Sequence, residues 1–287
     1  ALGDSWASPT VSGVFNAPST TDATRSFVSG TTAYVALNKT AAGPELYIVN
    51  VLNPDAPALL SALEINENVS DVWVNGDYAY LSTAGDAKEM VVVDVSDKAH
   101  PSVVGTVDLP TAADGLSIVG DAAINQVFVG TANNTTGPGY ELYGIDVSGA
   151  KTTSSLTWSR VYNANGAVYD LDFDSDHKMI YLSTGYTTQE LQVVDVSVAN
   201  VAVRVDAYNT ANNTAYGVDY DPSTGNSFVS LANGAANDDF YMLKSTNVSN
   251  IVPDFTNLSG VAYNGDPTND GTIVKVDNQG YAYLGTV

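Results

Sequence analysis

The chain repeats one short motif six times, and this repeat constrains the fold more than any other feature. Each copy is a strand-like run with an aromatic residue between aliphatic ones, centred on Tyr34, Tyr80, Phe128, Tyr181, Phe228 and Tyr283. The copies lie 46 to 55 residues apart, which leaves room for about four short strands in each unit. Such a unit cannot bury its apolar face alone, so successive units pack against one another. The sequence therefore predicts an all-β, six-bladed β-propeller of four-stranded antiparallel blades.

Turn residues and acidic residues divide each unit into strands. The first strand ends in Gly, Asn or Asp, which tolerate the positive φ of a tight hairpin, and the aromatic strand follows. The third strand begins with an acid, at Glu45, Glu89, Glu141, Glu190 and Asp239. An acid repeated in every unit favours a structural role, hydrogen bonding across adjacent blades, because an active site needs one asymmetric constellation. In four units this strand ends in a residue suited to cap the next turn, namely Asn50, Asp94, Asp146 and Asp195.

The second unit carries the clearest copy of the repeat. Its segment Val91-Val92-Val93-Asp94-Val95-Ser96-Asp97, followed by Pro101 and Gly105, resembles the LVIVD-repeat family of bacterial and archaeal propeller proteins. The resemblance implies a propeller that is usually exported. We predict one propeller domain over residues 1–287, with a closing or donor segment at 1–24. The predicted blades are 25–66, 67–110, 113–163, 167–210, 214–263, and 270–287 together with 8–18.

The sixth unit lacks a third strand. Residues 9–18 repeat the fourth strand of the second unit, with Pro and Gly at identical offsets, so we expect them to form the outer strand of the sixth blade. The blade is then closed either by the N-terminal strand of the same chain or by a partner chain, because an unpaired strand edge is a template for pairing. The predicted assembly residues are Pro9, Val11, Val14, Phe15, Tyr281 and Tyr283.

Composition limits the partners and the compartment. There are 32 acidic and 10 basic side chains, giving a net charge of −22, so the field of the molecule repels nucleic acid and anionic membrane surfaces. The absence of Cys excludes disulfides, thiolate nucleophiles and cysteine-ligated zinc. No apolar run reaches the roughly 18 residues of a membrane span. The chain begins without Met, which a removed export signal would explain, and we expect an extracellular or cell-surface protein.

The densest acidic cluster is a candidate calcium site. Alternate residues of a strand share one face, so Asp170, Asp172, Asp174 and Asp176 would repel one another unless a cation lies beside them. Calcium suits these oxygen ligands, although the segment lacks the Gly and the distal Glu of an EF-hand loop. Two other roles are open: the acids cap hairpin turns, or they line a wet central channel. No other cofactor is indicated.

Two further patterns concern glycans. Seven Asn-x-Ser/Thr sequons are candidate glycosylation sites: Asn38, Asn68, Asn133, Asn134, Asn212, Asn247 and Asn257. We expect Asn133, Asn134 and Asn212 to be the best of them. Aromatic residues outside the regular strands could instead form a platform on which sugars stack: Trp6, Trp158, Tyr140, Tyr186 and Tyr208.

These features favour a non-enzymatic extracellular module, one that self-assembles, for example into a surface filament, by strand exchange at the open blade. His100 and His177 are isolated in sequence, and no phosphate loop, dinucleotide fingerprint or Gly-x-Ser-x-Gly elbow is present. Two alternatives stay open: a calcium-dependent propeller hydrolase or lyase, and a glycan-binding adhesin. An enzyme should show a cluster at the channel mouth drawn from several blades, whereas a scaffold should have its unusual features at edges and termini.

Overall fold

The structure is a computed structural model that describes most of the chain. The described residues are 11–18, 21–41, 43–110, 113–134, 139–210, 214–232, 240–245, 255–261, 271–276 and 282–286. Strands and turns account for all regular structure within these ranges, and they contain no helix of the length and hydrophobicity that crossing a membrane requires.

The described residues form 22 strands in chain order. The first blade consists of β1 (Ala23–Ser29), β2 (Thr32–Leu37), β3 (Leu46–Asn50) and β4 (Ala58–Leu63). The second consists of β5 (Val69–Asn75), β6 (Tyr78–Thr83), β7 (Met90–Asp94) and β8 (Ser102–Val107). The third consists of β9 (Gly115–Asp121), β10 (Gln126–Thr131), β11 (Leu142–Asp146) and β12 (Thr157–Tyr162).

The remaining strands repeat this pattern and then shorten it. The fourth blade consists of β13 (Val168–Asp174), β14 (Met179–Thr184), β15 (Leu191–Asp195) and β16 (Val203–Tyr208). The fifth consists of β17 (Ala215–Asp221), β18 (Asn226–Leu231), β19 (Phe240–Ser245) and β20 (Phe255–Val261). The sixth sheet contains β21 (Gly271–Val276) and β22 (Ala282–Thr286).

Within the described ranges, five sheets have four antiparallel strands in sequence order, and the sixth has two. The all-β propeller with six repeating units is therefore confirmed. The first strands of successive blades pack against one another, from β1 to β21, and form the innermost ring of the propeller. This ring surrounds the central channel.

The repeated aromatic residues lie in the second strands, as the spacing predicts. The side chains of Tyr34, Tyr80, Phe128, Tyr181 and Phe228 are buried, whereas that of Tyr283 lies outside the described residues. Burying an aromatic side chain at one equivalent place in each blade removes a large apolar area from water, and a protein without disulfides relies on this packing.

In the first four blades a buried glutamate joins the third strand to the linker that leads into the next blade. One carboxylate oxygen accepts a hydrogen bond from a backbone N–H beyond the end of the fourth strand, at 2.7 to 2.9 Å. The pairs are Glu45 with Ile65, Glu89 with Leu109, Glu141 with Ala164, and Glu190 with Thr210. The structural role is as expected, but the partner is the inter-blade linker. Asp239 lies outside the described residues.

The predicted caps at the ends of the third strands are also present. Each side-chain oxygen accepts the backbone N–H two residues further along, at 2.7 to 2.9 Å. The capping residues are Asn50, Asp94, Asp146 and Asp195. This is an Asx turn, which satisfies a backbone donor where the chain leaves the sheet.

The N-terminal segment differs from its expected place in the sixth blade. Residues 11–17 form no strand and lie against the first blade. The Ser12 hydroxyl donates to the Asp55 carboxylate in the turn between β3 and β4, and the Phe15 ring lies 6.3 Å from that of Tyr47. A Cβ on Gly13 would lie 2.1 Å from the Pro54 carbonyl oxygen, so the segment is pressed onto this turn. The expected strand at 9–18 is thus absent over residues 11–17, and residues 8–10 lie outside the described ranges.

Candidate functional site in the central channel

A β-bulge near the start of each first strand determines which side chain enters the channel. In all six sheets the register between the first and second strands shifts at this point. Bulges bend a strand and redirect the side chain that follows. The residues directly after the bulge are Arg25, Asp71, Ser117, Asp170, Gly217 and Ile273.

The residues two positions further along each first strand form a second set of channel side chains. This set divides the channel into two unlike halves. At this position the first strand pairs with the central aromatic of the second strand. Blades one to three supply the apolar residues Phe27, Trp73 and Val119. Blades four to six supply the charged residues Asp172, Asp219 and Lys275. One position of the repeat therefore gives an apolar wall opposite a charged wall.

A cavity of about 500 Å³ lies between these walls. Its lining includes Phe27 and Trp73 on one side and Asp172 and Lys275 on the other. Trp73 fits beside the next blade because Gly120 has no side chain: a Cβ there would lie 2.4 Å from the indole ring. The volume falls in the range of ligand pockets, which combine apolar walls with a few polar groups.

The channel aspartates join neighbouring blades. Each carboxylate accepts one backbone N–H from its own strand and another from the first strand of the next blade. The inter-blade pairs are Asp71 with Ile118 at 3.0 Å, Asp170 with Val218 at 3.2 Å, and Asp172 with Tyr220 at 2.7 Å. These bonds hold the carboxylates in fixed positions, and each oxygen keeps lone-pair capacity for a further donor.

Two cations from other blades face these carboxylates. The Arg25 guanidinium of the first blade lies 3.6 Å from the Asp170 carboxylate of the fourth, so this ion pair spans the channel. The Lys275 ammonium of the sixth blade donates to Asp219 of the fifth at 2.8 Å. Its side chain is 57% exposed, because it projects into the open channel. The desolvation of Lys275 lowers its pKa, but the nearby aspartates, Asp172 foremost, outweigh this and raise the pKa above its ordinary value.

Enclosure in the channel raises the pKa of Asp71 to about 6. Desolvation is the main cause, and the negative charge of Asp170 adds to it. The Arg25 guanidinium and the backbone N–H donors act in the opposite direction and limit the rise. Asp71 therefore changes charge close to neutral pH.

A second carboxyl group behaves in the same way. Desolvation raises the pKa of Asp172 to about 6, assisted by the charge of Asp219 and opposed by Lys275. Two carboxyl groups in one cavity thus have a pKa near the range in which general acids and bases work best. Perturbed acids that share a cleft with aromatic and cationic side chains mark a candidate functional site.

The predicted acidic cluster is divided between two of the roles that the sequence left open. Asp170 and Asp172 line the channel, where Arg25 and Lys275 supply the cations. Asp174 caps the β13–β14 hairpin by accepting from the backbone of Asp176 and from His177, whose Nδ1 lies 2.6 Å away.

Calcium binding stays a prediction. In the described part of the chain no three acidic or histidine side chains are grouped closely enough to hold a metal ion. If calcium binds nevertheless, millimolar calcium should raise the melting temperature and a chelator should reverse the shift.

The candidate glycosylation sites differ in accessibility. Asn38, Asn68 and Asn133 are exposed, as a glycan requires. Asn134 is only 7% exposed and its backbone N–H donates to Glu141, so it is less accessible to a glycan than these three residues. Asn212 and Asn247 lie outside the described residues, as does the side chain of Asn257 in β20. Glycan occupancy stays a prediction that intact-mass analysis would test.

The predicted assembly residues are not brought together in the described structure. Val11 and Val14 are exposed beside the first blade, and Phe15 packs on Tyr47. Tyr283 belongs to β22, where its backbone pairs with Lys275. Pro9 and Tyr281 lie outside the described residues.

Sequence reasoning missed the residues that make the channel asymmetric: Phe27, Trp73, Arg25, Asp71 and Lys275. They are scattered over 250 positions and belong to no local motif. The signal was present in the repeat, since aligning the six first strands on their central aromatics places Phe, Trp, Val, Asp, Asp and Lys in one column. The residue at this position therefore differs in chemical type from blade to blade, although the strands that carry it repeat.

The sequence of the second blade matches the sequence model of the LVIVD repeat over residues 67–109. The match contains the segment from Val91 to Asp97 on which the resemblance was based, and confirms it. No curated protein sequence matches the chain.

Solved structures with similar folds include two proteins described as lactonases and a β-propeller domain. The periplasmic gluconolactonase PpgL of Pseudomonas aeruginosa is 13% identical with a TM-score of 0.65, over 85% of this chain and 72% of that one. A putative 6-phosphogluconolactonase from Bacteroides uniformis is 12% identical with a TM-score of 0.69, over 91% and 77%. The Myceliophteria thermophila Cps50 (Swd1) β-propeller domain is 10% identical with a TM-score of 0.57, over 88% and 76%. At these identities the likeness shows the fold alone.

The prediction that the chain is not an enzyme is wrong. Its basis was the absence of familiar catalytic motifs, yet similar structures include proteins described as gluconolactonases. The channel also contains charged groups drawn from blades one, two, four, five and six, the feature we expected of an enzyme. Neither the fold nor the missing motifs argue against catalysis.

Proposed function

We propose that the chain binds a small, neutral, polyhydroxylated compound in its central channel. The observation that carries this proposal is the division of the channel, with Phe27 and Trp73 facing Asp172 and Lys275 across a cavity of about 500 Å³. Aromatic faces suit the C–H faces of sugars, and fixed carboxylates and ammonium groups suit their hydroxyls. An exported LVIVD-repeat protein would meet such compounds outside the cell.

The charged groups of the channel favour a neutral ligand. Four aspartates face two cations in the channel, and both cations are already paired with carboxylates. A phosphate or carboxylate group on the ligand would add to this negative excess within a molecule of net charge −22. We therefore expect neutral sugars to bind more tightly than their phosphorylated or oxidised derivatives.

The binding experiment is isothermal titration of neutral aldoses, polyols and their phosphate esters into the full chain. Asp172→Asn should weaken binding roughly tenfold or more, because it removes a charged hydrogen-bond acceptor. Asp97→Asn, at an exposed turn, is the matched control and should leave binding unchanged. Absence of binding by every neutral compound, or equal binding by Asp172→Asn, would refute the channel site.

We also propose that the channel hydrolyses an internal ester of such a compound. Asp172 would accept a proton from the attacking water, whose oxygen bonds to the carbonyl carbon. The Lys275 ammonium would stabilise the oxyanion, and the ring C–O bond would then break, with the proton returning to the leaving oxygen. Among the similar structures, the gluconolactonase PpgL is named for a neutral lactone of this class.

Hydrolysis is measured in a pH-stat with a neutral aldonolactone. The rate should rise as the pH passes about 6, because the base must be ionised. Asp172→Asn should lower the rate by about a hundredfold or more. If the wild-type chain is no faster than the spontaneous reaction, the hydrolytic proposal fails, whereas the binding proposal is judged by titration alone.

A second candidate function is self-assembly through the sixth sheet. Among the described residues this sheet has two strands where five others have four, and β22 pairs with β21. We propose that a strand from a second copy, residues 11–17 of its N-terminal segment, pairs with this sheet. Deleting residues 1–18 should then abolish assembly of a still folded propeller. If the protein is a monomer both before and after the deletion, strand donation is contradicted.

A further inference from the structure

A second cavity, of about 420 Å³, lies on the rim of the propeller between the second and third blades. Its lining includes Thr106 and Asp108 from the second blade, and Thr153, Leu156, Thr157 and Trp158 from the third. It shares no residue with the central channel. The indole of Trp158 is 42% exposed, unusually high for so large an apolar side chain.

This cavity coincides with a departure of the third blade from the repeat. Ten residues, 147–156, connect β11 to β12, whereas seven residues make the same connection in the first, second and fourth blades, at 51–57, 95–101 and 196–202. The lengthened loop extends onto β8 of the preceding blade. It supplies Thr153 and Leu156 to the cavity.

The junction between the two blades is closely fitted. The Thr106 N–H donates to the Thr153 hydroxyl at 3.0 Å, and a Cβ on Gly105 would lie 2.1 Å from the Lys151 carbonyl oxygen. The Trp158 ring lies 6.0 Å from the buried Tyr143 ring and nearly perpendicular to it. These contacts fix the walls of the cavity before any ligand arrives, which lowers the entropic cost of binding.

Comparing Trp158 with the equivalent residues of other blades shows which of its features belong to the repeat and which are particular to the third blade. Leu59 and Val103 occupy the same register position in the first and second blades and are exposed to a similar extent, 45% and 44%. Exposure of an apolar residue at this position is therefore shared by the first three blades, whereas the fourth blade has Arg204 there. The indole, the long loop and the cavity are together found in the third blade, among the four blades whose connecting loops are described.

We propose that this rim cavity binds a neutral sugar residue at the end of a glycan. A pyranose presents an apolar C–H face to the Trp158 indole while its hydroxyls bond to the Asp108 carboxylate and the threonine hydroxyls. A cavity of about 420 Å³ holds one or two sugar residues and opens on the outer surface, where a glycan chain can leave it. The channel site, in contrast, takes a free small molecule.

The test is binding of the full chain to an array of neutral oligosaccharides, followed by titration of the best binder. Trp158→Ala should weaken binding roughly tenfold or more, while its melting temperature stays near that of the wild type. Val103→Ala, at the equivalent position of the second blade, and Asp172→Asn, in the channel, should both bind as the wild type does. Asp108→Ala is the second variant and should also weaken binding.

The outcomes separate the rim site from the channel site. Loss of binding in Trp158→Ala and Asp108→Ala with retention in Asp172→Asn supports the proposal. It is overturned if the wild-type chain binds no neutral oligosaccharide, if Trp158→Ala binds as well as the wild type, or if only Asp172→Asn loses binding.

Discussion

Single residues decide what each blade contributes to the channel. The sheets share one pattern of pairing and bulges, yet the residue opposite the central aromatic is Phe27 in the first blade and Lys275 in the last. The side chains at this position line the channel, and some also contact the next blade, as Trp73 does beside Gly120 and Asp172 does at the Tyr220 N–H. The chemistry of the channel is therefore set by a few substitutions in a constant backbone.

The Lys275→Gln variant tests the charge balance of the channel. Loss of the ammonium group leaves Asp172 and Asp219 to repel each other, and the pKa of Asp172 should rise above about 6. We expect a loss of about 1–2 kcal/mol in the free energy of unfolding at pH 8, between the values typical of exposed and buried ion pairs. The loss should be smaller at pH 5, where Asp172 is protonated.

Urea denaturation at both pH values measures this difference. Lys98→Gln, which removes an exposed charge in the β7–β8 loop, is the control and should be nearly neutral. An equal loss for Lys275→Gln at both pH values would show that Lys275 contributes by packing and not by charge.

The raised pKa of Glu89 predicts that the free energy of unfolding depends on pH. Burial raises its pKa to about 7, so the folded chain favours the protonated form. This stability is fully present below the ordinary pKa of about 4.5 and is lost as the pH rises through 7, a change on the order of 2 kcal/mol. Glu89→Gln keeps an acceptor for the Leu109 N–H and should remove this part of the pH dependence.

Asp94, in the same blade, provides a control of opposite sign. Hydrogen bonds from Ser96 lower its pKa, so its contribution is present above the ordinary pKa and is lost as the pH falls. Unfolding should be followed from pH 2 to 8 for Glu89→Gln and Asp94→Asn, because the Asp94 contribution is lost below its ordinary pKa of 3.8. If Glu89→Gln keeps the pH profile of the wild type between pH 4.5 and 7.5, the protonated state assigned to Glu89 is wrong.

At the scale of strands and turns, the sequence predicted what depends on near neighbours. Turn residues and alternating apolar residues located the six hairpins and the five third strands. Asx caps such as that of Asp94 are two-residue interactions and were predicted as well. The bulges were not predicted, because they follow from pairing between strands and not from the residues at which they occur. The Arg25–Asp170 ion pair depends on them.

The place of the N-terminal segment also could not be predicted from its own residues. Its sequence matches an outer strand, but an outer strand needs a neighbouring strand edge within about 4.8 Å. The sixth sheet offers no third strand among the described residues, and residues 11–17 instead contact the turn at Pro54 and Asp55. Local sequence likeness could not decide between these environments.

The contact between blades two and three predicts a steric effect at Gly105. A Cβ at this position would lie 2.1 Å from the Lys151 carbonyl oxygen, so Gly105→Ala must displace the lengthened loop. We expect a loss of about 1–3 kcal/mol in the free energy of unfolding. Gly149→Ala, in the same loop and with open space around its Cβ, is the control and should change stability by less than about 0.5 kcal/mol. Similar values for both variants would contradict the close fit.

At the scale of the whole molecule, a symmetric scaffold encloses an asymmetric channel. The ring of first strands is held together by the repeated packing of the buried aromatics and by hydrogen bonds that backbone N–H groups of the next blade donate to Asp71, Asp170 and Asp172. The net charge of −22 surrounds a cavity in which two cations are already paired. This combination is the basis on which we propose a neutral, hydrogen-bonding ligand.

Carbon-13 NMR of the aspartate carboxyl groups tests this account most directly. Titration of the full chain should show two carboxyl signals with a pKa of about 6, one lost in Asp71→Asn and the other in Asp172→Asn. A bound neutral sugar should shift both signals and leave that of exposed Asp97 unchanged. The account is contradicted if the Asp71 and Asp172 carboxyl groups titrate near pH 4 and a saturating neutral sugar shifts neither signal.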